Sequence, residues 1–370
     1  MSADRPADDA DVSIEHALRW QARYCLSAGS PVASLMLEAV LADLCGDRRL
    51  AEHLPERVRF GTLPGLRIMA AVHLLALERR APAVGLHLPT LGGTPPRADP
   101  ASRDAFSSDV VSALVDHADV LSASMASTPS TNETGRAALL RCALSRLEVP
   151  SPVRLREIGA SAGLNLRADH LPGLQGLEIG PLPQVVDRVG CDLDPIDPTT
   201  QAGRMRLSSY VWVDDVERFE RLGRAMDVAR AVPASIVRAD GADFVRSLDL
   251  EAGTTTVIWH SAMWVYLRPP TRQAILDAIG ALSVRATPSA RLAHVSWEWR
   301  ADGGEPGEPF ELVLRQWAGA PDDGRPTLLA RGISHGTAAT LVGEDAPESM
   351  PARSQAAAHA IQAPHEDDVG

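Results

Sequence analysis

From Val12 to about Leu44 the apolar positions of the chain recur every three to four residues. In VSIEHALRWQARYCLSAG, residues Ile14, Ala17, Leu18, Ala22 and Cys25 form one stripe, the spacing of a helix that buries a single face. Gly29-Ser30-Pro31 interrupts it. Ser30 followed by Pro31 has the form of an N-cap and a first helical residue. PVASLMLEAVLADLCG, GLRIMAAVHLLALERRAP and DAFSSDVVSALVDHADVLSASMA continue the pattern, with the Pro- and Gly-rich PTLGGTPPRADPAS as a loop. Residues 11–145 therefore read as an all-helical N-terminal domain. The first ten residues, acidic and rich in small residues, read as disordered.

Near Val153 the period changes from helical spacing to short β-branched runs. VRLREIGASAG reads as strand, glycine turn and helix; ASIVRADGADFV as a strand ending in acid; TTTVIWHSAMWVYL as one long strand; ARLAHVSWEW as another. VERFERLGRAMDVARAV and PTRQAILDAIGALSV are helices between them. Alternating strands and helices predict a mostly parallel, doubly wound, Rossmann-like α/β sheet over residues 146–342. FELVLRQWAG and PTLLARGISHGTAATLV follow with no helix between them, which predicts an antiparallel C-terminal edge. Residues 343–370, polar and rich in Ala and Pro, read as a disordered tail.

Composition narrows the functional classes. The net charge of −12 argues against a broad nucleic-acid surface. All 36 basic residues are arginine, so neither a P-loop lysine nor a Schiff-base lysine is present. Cys25, Cys45, Cys142 and Cys191 stand far apart, without zinc spacing, and read as reduced structural thiols. No metal site is expected. No apolar run reaches the ~20 residues of a membrane span. The start lacks the layout of a signal peptide, so the expected location is the cytoplasm.

The densest candidate chemistry is LREIGASAGLNLRAD, Leu155–Asp169. Small residues after a strand let the backbone turn tightly, and a ligand can approach closely. Glu157, Gly159, Ser161, Gly163 and Asn165 are the candidate cofactor residues of this loop. Asp192, at a strand end in RVGCDLDPIDP, can hold ribose hydroxyls, and Asp240 in IVRADGADF can receive an adenine amino group. The alternatives are an Asp-rich turn and a helix cap. Gly-x-Ser-x-Gly is also the nucleophile-elbow pattern of α/β-hydrolases. In that reading Ser161, Asp240 and His335 form a triad in the expected chain order. A non-catalytic nucleotide-binding module is a third possibility.

The acidic-x-Gly-x-Ser-x-Gly loop and the strand–helix order over about residues 130–340 resemble class I S-adenosylmethionine-dependent methyltransferases. Ser161 stands where that family's middle glycine usually lies. The whole chain also resembles DUF2332, an uncharacterised and mainly actinobacterial family, through TNETGR (131–136), EIGASAGLNL (157–166), GCDLDPID (190–197), VIWHSAMWVYL (257–267) and ISHGTAATL (333–341). The methyltransferase resemblance implies S-adenosylmethionine as cofactor and a small-molecule acceptor of unknown identity. It implies His260 as the base, with Ser261, Trp264 and Tyr266 around the acceptor. Arg136 is then a partner for the cofactor's carboxylate, and Asn132, Glu133 and Glu298 are further substrate contacts. Each has a bland alternative: a cap for the 131–136 stretch, a core histidine for His260, packing for Trp264, a solvated acid for Glu298.

Overall fold

The computed structural model describes residues 10–149, 151–177, 180–300 and 310–343. The terminal stretches read as disordered lie outside the described residues, apart from Ala10 and Gly343. Strand β1 (Asp11–Ser13) pairs antiparallel with β2 (Arg57–Arg59). The N-terminal part is therefore not all-helical. Arg57 fixes the ribbon by donating to Asp11 at 2.9 Å. Around it pack α1 (Ile14–Ser27), α2 (Pro31–Cys45), α3 (Pro64–Leu77), α4 (Pro82–Gly85), α5 (Pro100–Asp116) and α6 (Ala118–Ala126). The predicted stripe of α1 is the buried one: Ile14, Ala17, Leu18, Ala22 and Cys25 all face the core. Phe60–Leu77 has the length and hydropathy of a membrane span, contrary to expectation, and 72% of it is buried inside the protein.

Ser30 does not cap α2 with its side chain. The Asp214 carboxylate does so from far along the chain, accepting from the Val32 and Ala33 N–H groups at 3.0 Å each. Tyr210, Trp212 and Val213 from the same segment enter the N-terminal core. The helices are thus stapled to the second half of the chain by hydrogen bonds and by aromatic burial.

After α7 (Ala137–Leu144) the chain builds an eight-stranded, mostly parallel sheet. Its strands are β3 (Val153–Ile158), β4 (Val185–Asp192), β5 (Ser235–Arg238), β6 (Thr254–Ser261), β7 (Ala290–Trp299), β8 (Phe310–Trp317), β9 (Thr327–Gly332) and β10 (Ala339–Leu341). The order is β10-β9-β8-β7-β6-β3-β4-β5. β5, β4, β3, β6 and β7 run parallel, and β8 to β10 form an antiparallel edge. Between strands lie α8 (Gln201–Ser209), α9 (Val216–Ala231), α10 (Gly241–Arg246) and α11 (Pro269–Ser283). Alternation along β6 sends Val257 and Trp259 into the core shared with α7 and α9, and Ile258 into the core shared with α10 and α11. Both faces of the sheet are covered.

Three local expectations fail. The long TTTVIWHSAMWVYL strand stops at Ser261, where Ala262 turns at φ +49° into a short 3₁₀ turn, Trp264–Tyr266. β4 is anticipated only through the strand end at Asp192, and α8 is absent from the elements read above, because Asp, Arg and Gly residues mask their periodicity. No α-helix follows the glycine loop; a 3₁₀ turn, Asn165–His170, does. Pro172, Gly173, Gly176, Pro181 and Pro183 follow closely, and none of them propagates a helix.

Asp214→Ala removes the cap of α2 and is expected to destabilise the protein by about 1–2 kcal/mol. Thermal denaturation checks this, and Asp214→Asn, which still accepts, should recover most of the loss.

Candidate functional site

Chain order moves outward from β3 to β4 and β5, then returns to lay β6 on the other side of β3. At such a reversal the loops leave the strand ends in opposite directions and open a crevice. A cleft of about 930 Å³, its open mouth included, lies there. Ile158 and Gly159 come from β3 and its loop, Cys191 and Asp192 from the end of β4, and Ser261 to Met263 from the end of β6.

The glycine loop turns through Gly159 (φ +69°), Ser161 (φ +53°) and Gly163 (φ +66°). A Cβ at Gly163 would stand 2.4 Å from Ile236 Cδ1, so any other residue there must push that side chain aside and adopt a left-handed backbone as well. The loop is held from two sides. Asp192 Oδ2 accepts the Ser161 N–H at 2.7 Å. Asn132 Oδ1 accepts the Ala162 and Leu164 N–H groups at 3.2 and 3.1 Å. Ala160 N–H donates to Cys191 O, and Gly163 N–H to Ala160 O. Every N–H from Ala160 to Leu164 therefore has a partner within the chain. This loop is no phosphate cradle, which needs those donors free.

What the loop leaves open is acceptors. Glu157 Oε2, Ser161 Oγ and Asn165 Oδ1 are buried without a hydrogen-bond partner, and all three residues border the cleft. Burial pushes the Glu157 carboxyl up to about 8, against a hydrogen bond from Asn165 and assisted by the Asp192 carboxylate. Glu157 is 2% exposed. It is a carboxyl kept protonated at neutral pH until a cation or donor reaches it.

Gly159, Asp192, Asp240, Asn132, Glu133, Arg136, Ser261 and Tyr266 border the same cleft. Several carry structural duties there. Asp240 caps α10 through the Ala242 and Asp243 N–H groups. Glu133 accepts the Gly135 N–H at 2.9 Å and pairs with Arg218 and Arg221 of α9. Burial alone would raise the Glu133 carboxyl; Arg218, His335, Arg221 and the Gly135 N–H outweigh it and bring it to about 2. Arg136 donates to Ser334 O at 2.9 Å and to Ser261 O at 3.2 Å.

Four expected site residues do not border the cleft. Gly163 supports the turn from behind. His260 is fully buried: its Nδ1 meets Glu298 Oε1 at 2.8 Å and its Nε2 meets His294 Nε2 at 2.9 Å. Strand alternation gives the cleft to Ser261 and the interior to His260. The Trp264 ring packs on His260, 4.3 Å between centroids. Glu298, expected as a substrate contact with a solvated acid as the alternative, is 8% exposed and accepts the Met263 and Trp264 N–H groups at 3.1 and 3.2 Å. It fixes the turn that carries Met263 and Tyr266 to the cleft. With Glu298 accepting, His260 Nδ1 is the donor. Burial and the neighbouring His260 hold His294 well below the usual histidine range.

Ser161 Oγ touches no imidazole. His335 sits with Glu133 and Trp212 instead. Burial, with Arg218 beside it, takes His335 down to about 3. Among the described residues no three His, Cys, Asp or Glu side chains group as metal ligands, and the four cysteines are free. Met263, Leu193 and Ile275 also line the cleft. Met263 stands inside VIWHSAMWVYL and was legible as a neighbour of Ser261; the other two carry no local signal.

The family model described as an uncharacterized protein conserved in bacteria, DUF2332, matches residues 15–176 and 171–340. The chain belongs to the DUF2332 family. No curated protein and no solved structure matches it. In this DUF2332 protein the segments that carry the sequence resemblance bond to one another around the cleft. Asn132 of TNETGR holds EIGASAGLNL, and Asp192 of GCDLDPID holds it from the other side. Arg136 ties TNETGR to VIWHSAMWVYL and ISHGTAATL.

Glu157 binds more protons in the folded state than its ordinary carboxyl does unfolded. Its burial therefore costs stability increasingly as pH rises from about 4.5 to about 8. Glu157→Gln should match the wild type in stability near pH 4.5. At pH 8 it should be the more stable protein, by on the order of 3 kcal/mol. Urea titrations of both proteins at the two pH values check the sign.

Proposed function

We propose that this protein binds S-adenosylmethionine in the cleft and transfers its methyl group to a small-molecule acceptor. One observation carries the reading: three buried, unpaired side-chain oxygens, Glu157 Oε2, Ser161 Oγ and Asn165 Oδ1, gathered at the end of β3 where the strand order reverses. A ligand that satisfies them offers several N–H donors and a positive charge, as an ammonium group does. A nucleoside diphosphate fits poorly, because the loop's N–H groups are already taken.

The order β5-β4-β3-β6-β7, all parallel, follows the 3-2-1-4-5 pattern of doubly wound nucleotide-binding sheets, which supports the same reading. Asp192 and Asp240 end β4 and follow β5. Each spends lone pairs on backbone N–H groups and keeps others. Asp192 would take ribose hydroxyls and Asp240 the adenine amino group. Glu157 would give up its proton and hold the ammonium. Ile158, Met263 and Ile275 would exclude water from the reacting centre. The bound cofactor supplies a methyl group activated on a sulfonium. The 128–136 segment, which joins the N-terminal helices to the sheet, closes the acceptor side.

Isothermal titration with S-adenosylmethionine and S-adenosylhomocysteine tests the reading. Micromolar binding is expected for both. At pH 7, buffers of different ionisation enthalpy should report release of close to one proton, lost in Glu157→Gln. Gly159→Leu, which sets a side chain in the cleft beside Met263 at φ +69°, should abolish binding while the protein stays folded by circular dichroism. No binding by the wild type overturns the proposal.

A further inference from the structure

The cleft has two walls of opposite charge. Glu157, Asp192 and Asp240 form one, at the ends of β3, β4 and β5. On the other side Arg136 alone of the described arginines borders the cleft, with Arg59, Arg67, Arg218 and Arg221 reaching the residues behind it, five guanidinium groups against the carboxylates of Glu133 and Glu298. Arg136 borders the cleft and donates to neutral oxygens only, those of Ser334 and Ser261. Arg59 donates to Tyr266 O at 3.3 Å. Arg67 donates to Met125 O, and its buried Nε has no partner. Among the described residues none of these three forms an ion pair. Glu133 answers Arg218 and Arg221 together, one carboxylate for two guanidinium groups. Tyr266, on the cleft surface, feels the charges of both Arg136 and Arg67. Guanidinium groups that outnumber the carboxylates near them in partly buried positions are costly, and an arriving oxyanion relieves that cost.

With Glu157, Asp192 and Asp240 committed to the cofactor in this reading, the described cleft residues leave the acceptor no base. His260 lies in the interior, bound at both nitrogens. Glu133 is ion-paired, and Asp192 and Asp240 accept backbone N–H groups. Burial pushes the Tyr266 phenol up to about 12. An alcohol or ammonium acceptor would need its proton removed, whereas a carboxylate is already a nucleophile.

We infer, resting on the methyl-transfer reading, that the acceptor is a small carboxylic acid, received as its anion by Arg136 with Arg59 and Arg67 behind Tyr266, and that the product is its methyl ester. The carboxylate oxygen supplies the electron pair of the new O–C bond, and the pair of the broken C–S bond stays on sulfur. No proton moves, and the positive and negative charges of the reactants cancel. A carboxylate fits better than a phosphate: one guanidinium faces the cleft directly, and the glycine loop has no free N–H groups for a dianion. The apolar surface of Leu267 and Ile275 suits an acid with an apolar body.

Four probes sharing one ring test this: phenylacetate, benzyl phosphate, benzyl alcohol and benzylamine. They are titrated into the protein saturated with S-adenosylhomocysteine. Phenylacetate should bind most tightly, in the millimolar range or better. Arg67→Gln should weaken it severalfold, to about tenfold, with S-adenosylhomocysteine affinity unchanged and with partial rescue in Arg67→Lys. Arg136→Gln should weaken it further if that variant folds. With S-adenosylmethionine, mass spectrometry should find methyl phenylacetate and S-adenosylhomocysteine in equal amounts. Tighter binding of the phosphate, alcohol or amine overturns the inference, as does phenylacetate binding that ignores Arg67. If S-adenosylhomocysteine does not bind, the cofactor reading fails and the ester with it. Arg67-dependent binding of phenylacetate to the unloaded protein would then still establish the carboxylate site, and its absence would remove both.

Discussion

The site depends on the hydrogen bonds that hold the Gly159–Leu164 loop, from Asn132 on one side and Asp192 on the other. The loop places Ser161 at φ +53°, a conformation that L-residues adopt only with support. Two side chains distant in sequence supply that support by accepting its N–H groups. The consequence is chemical as well as mechanical. A glycine loop of this shape can offer donors to a phosphate, and here the donors are spent on fixing the loop. The surface left to a ligand is acceptors. One structural constraint thus selects against anions at the loop and for a cationic or donor-rich group.

The second constraint is burial without pairing, and it acts with opposite sign on the two walls. Glu157 meets burial by keeping its proton. The arginines cannot shed theirs at any ordinary pH, so they retain an unbalanced field. A ligand positive at one end and a second ligand negative at one end would neutralise both walls together. Behind the cleft, Glu298, His260 and His294 form a buried chain that holds the Met263–Tyr266 turn through two N–H groups. Its work is positioning, which explains why a histidine at a strand end beside the cleft takes no place in the cleft.

Much of this was legible in the sequence. The stripe through Ile14 and Leu18, the change of period near Val153, the antiparallel edge and the loop around Glu157 all carry local signals, and local signals survive folding. Most predicted site residues meet at one cleft because strand ends and their following turns converge in a parallel sheet. What local patterns cannot carry is direction. His260 and Ser261 are neighbours in sequence, and strand alternation gives only one of them to the cleft. Glu298 reads as a solvated acid until the turn at Ala262 brings two backbone N–H groups onto it. The helix expected after the loop fails for a reason that was visible: prolines and glycines follow within a few residues.

The least legible feature is the dependence of the site on both halves of the chain. Asp214, between α8 and α9, caps α2 near the N-terminus. Glu133 pairs with α9, Arg59 of β2 donates to Tyr266 O, and the charge of Arg67 in α3 acts on Tyr266. None of these contacts has a sequence signature, because each joins residues tens to hundreds of positions apart. They make the acceptor wall a joint product of the helices and the sheet, whereas the acid wall belongs to the sheet alone. A change in the N-terminal helices can therefore retune the arginine field without disturbing Glu157, Asp192 or Asp240. On the proposed reading, selectivity for the second ligand and affinity for the first would be carried by separable parts of the molecule.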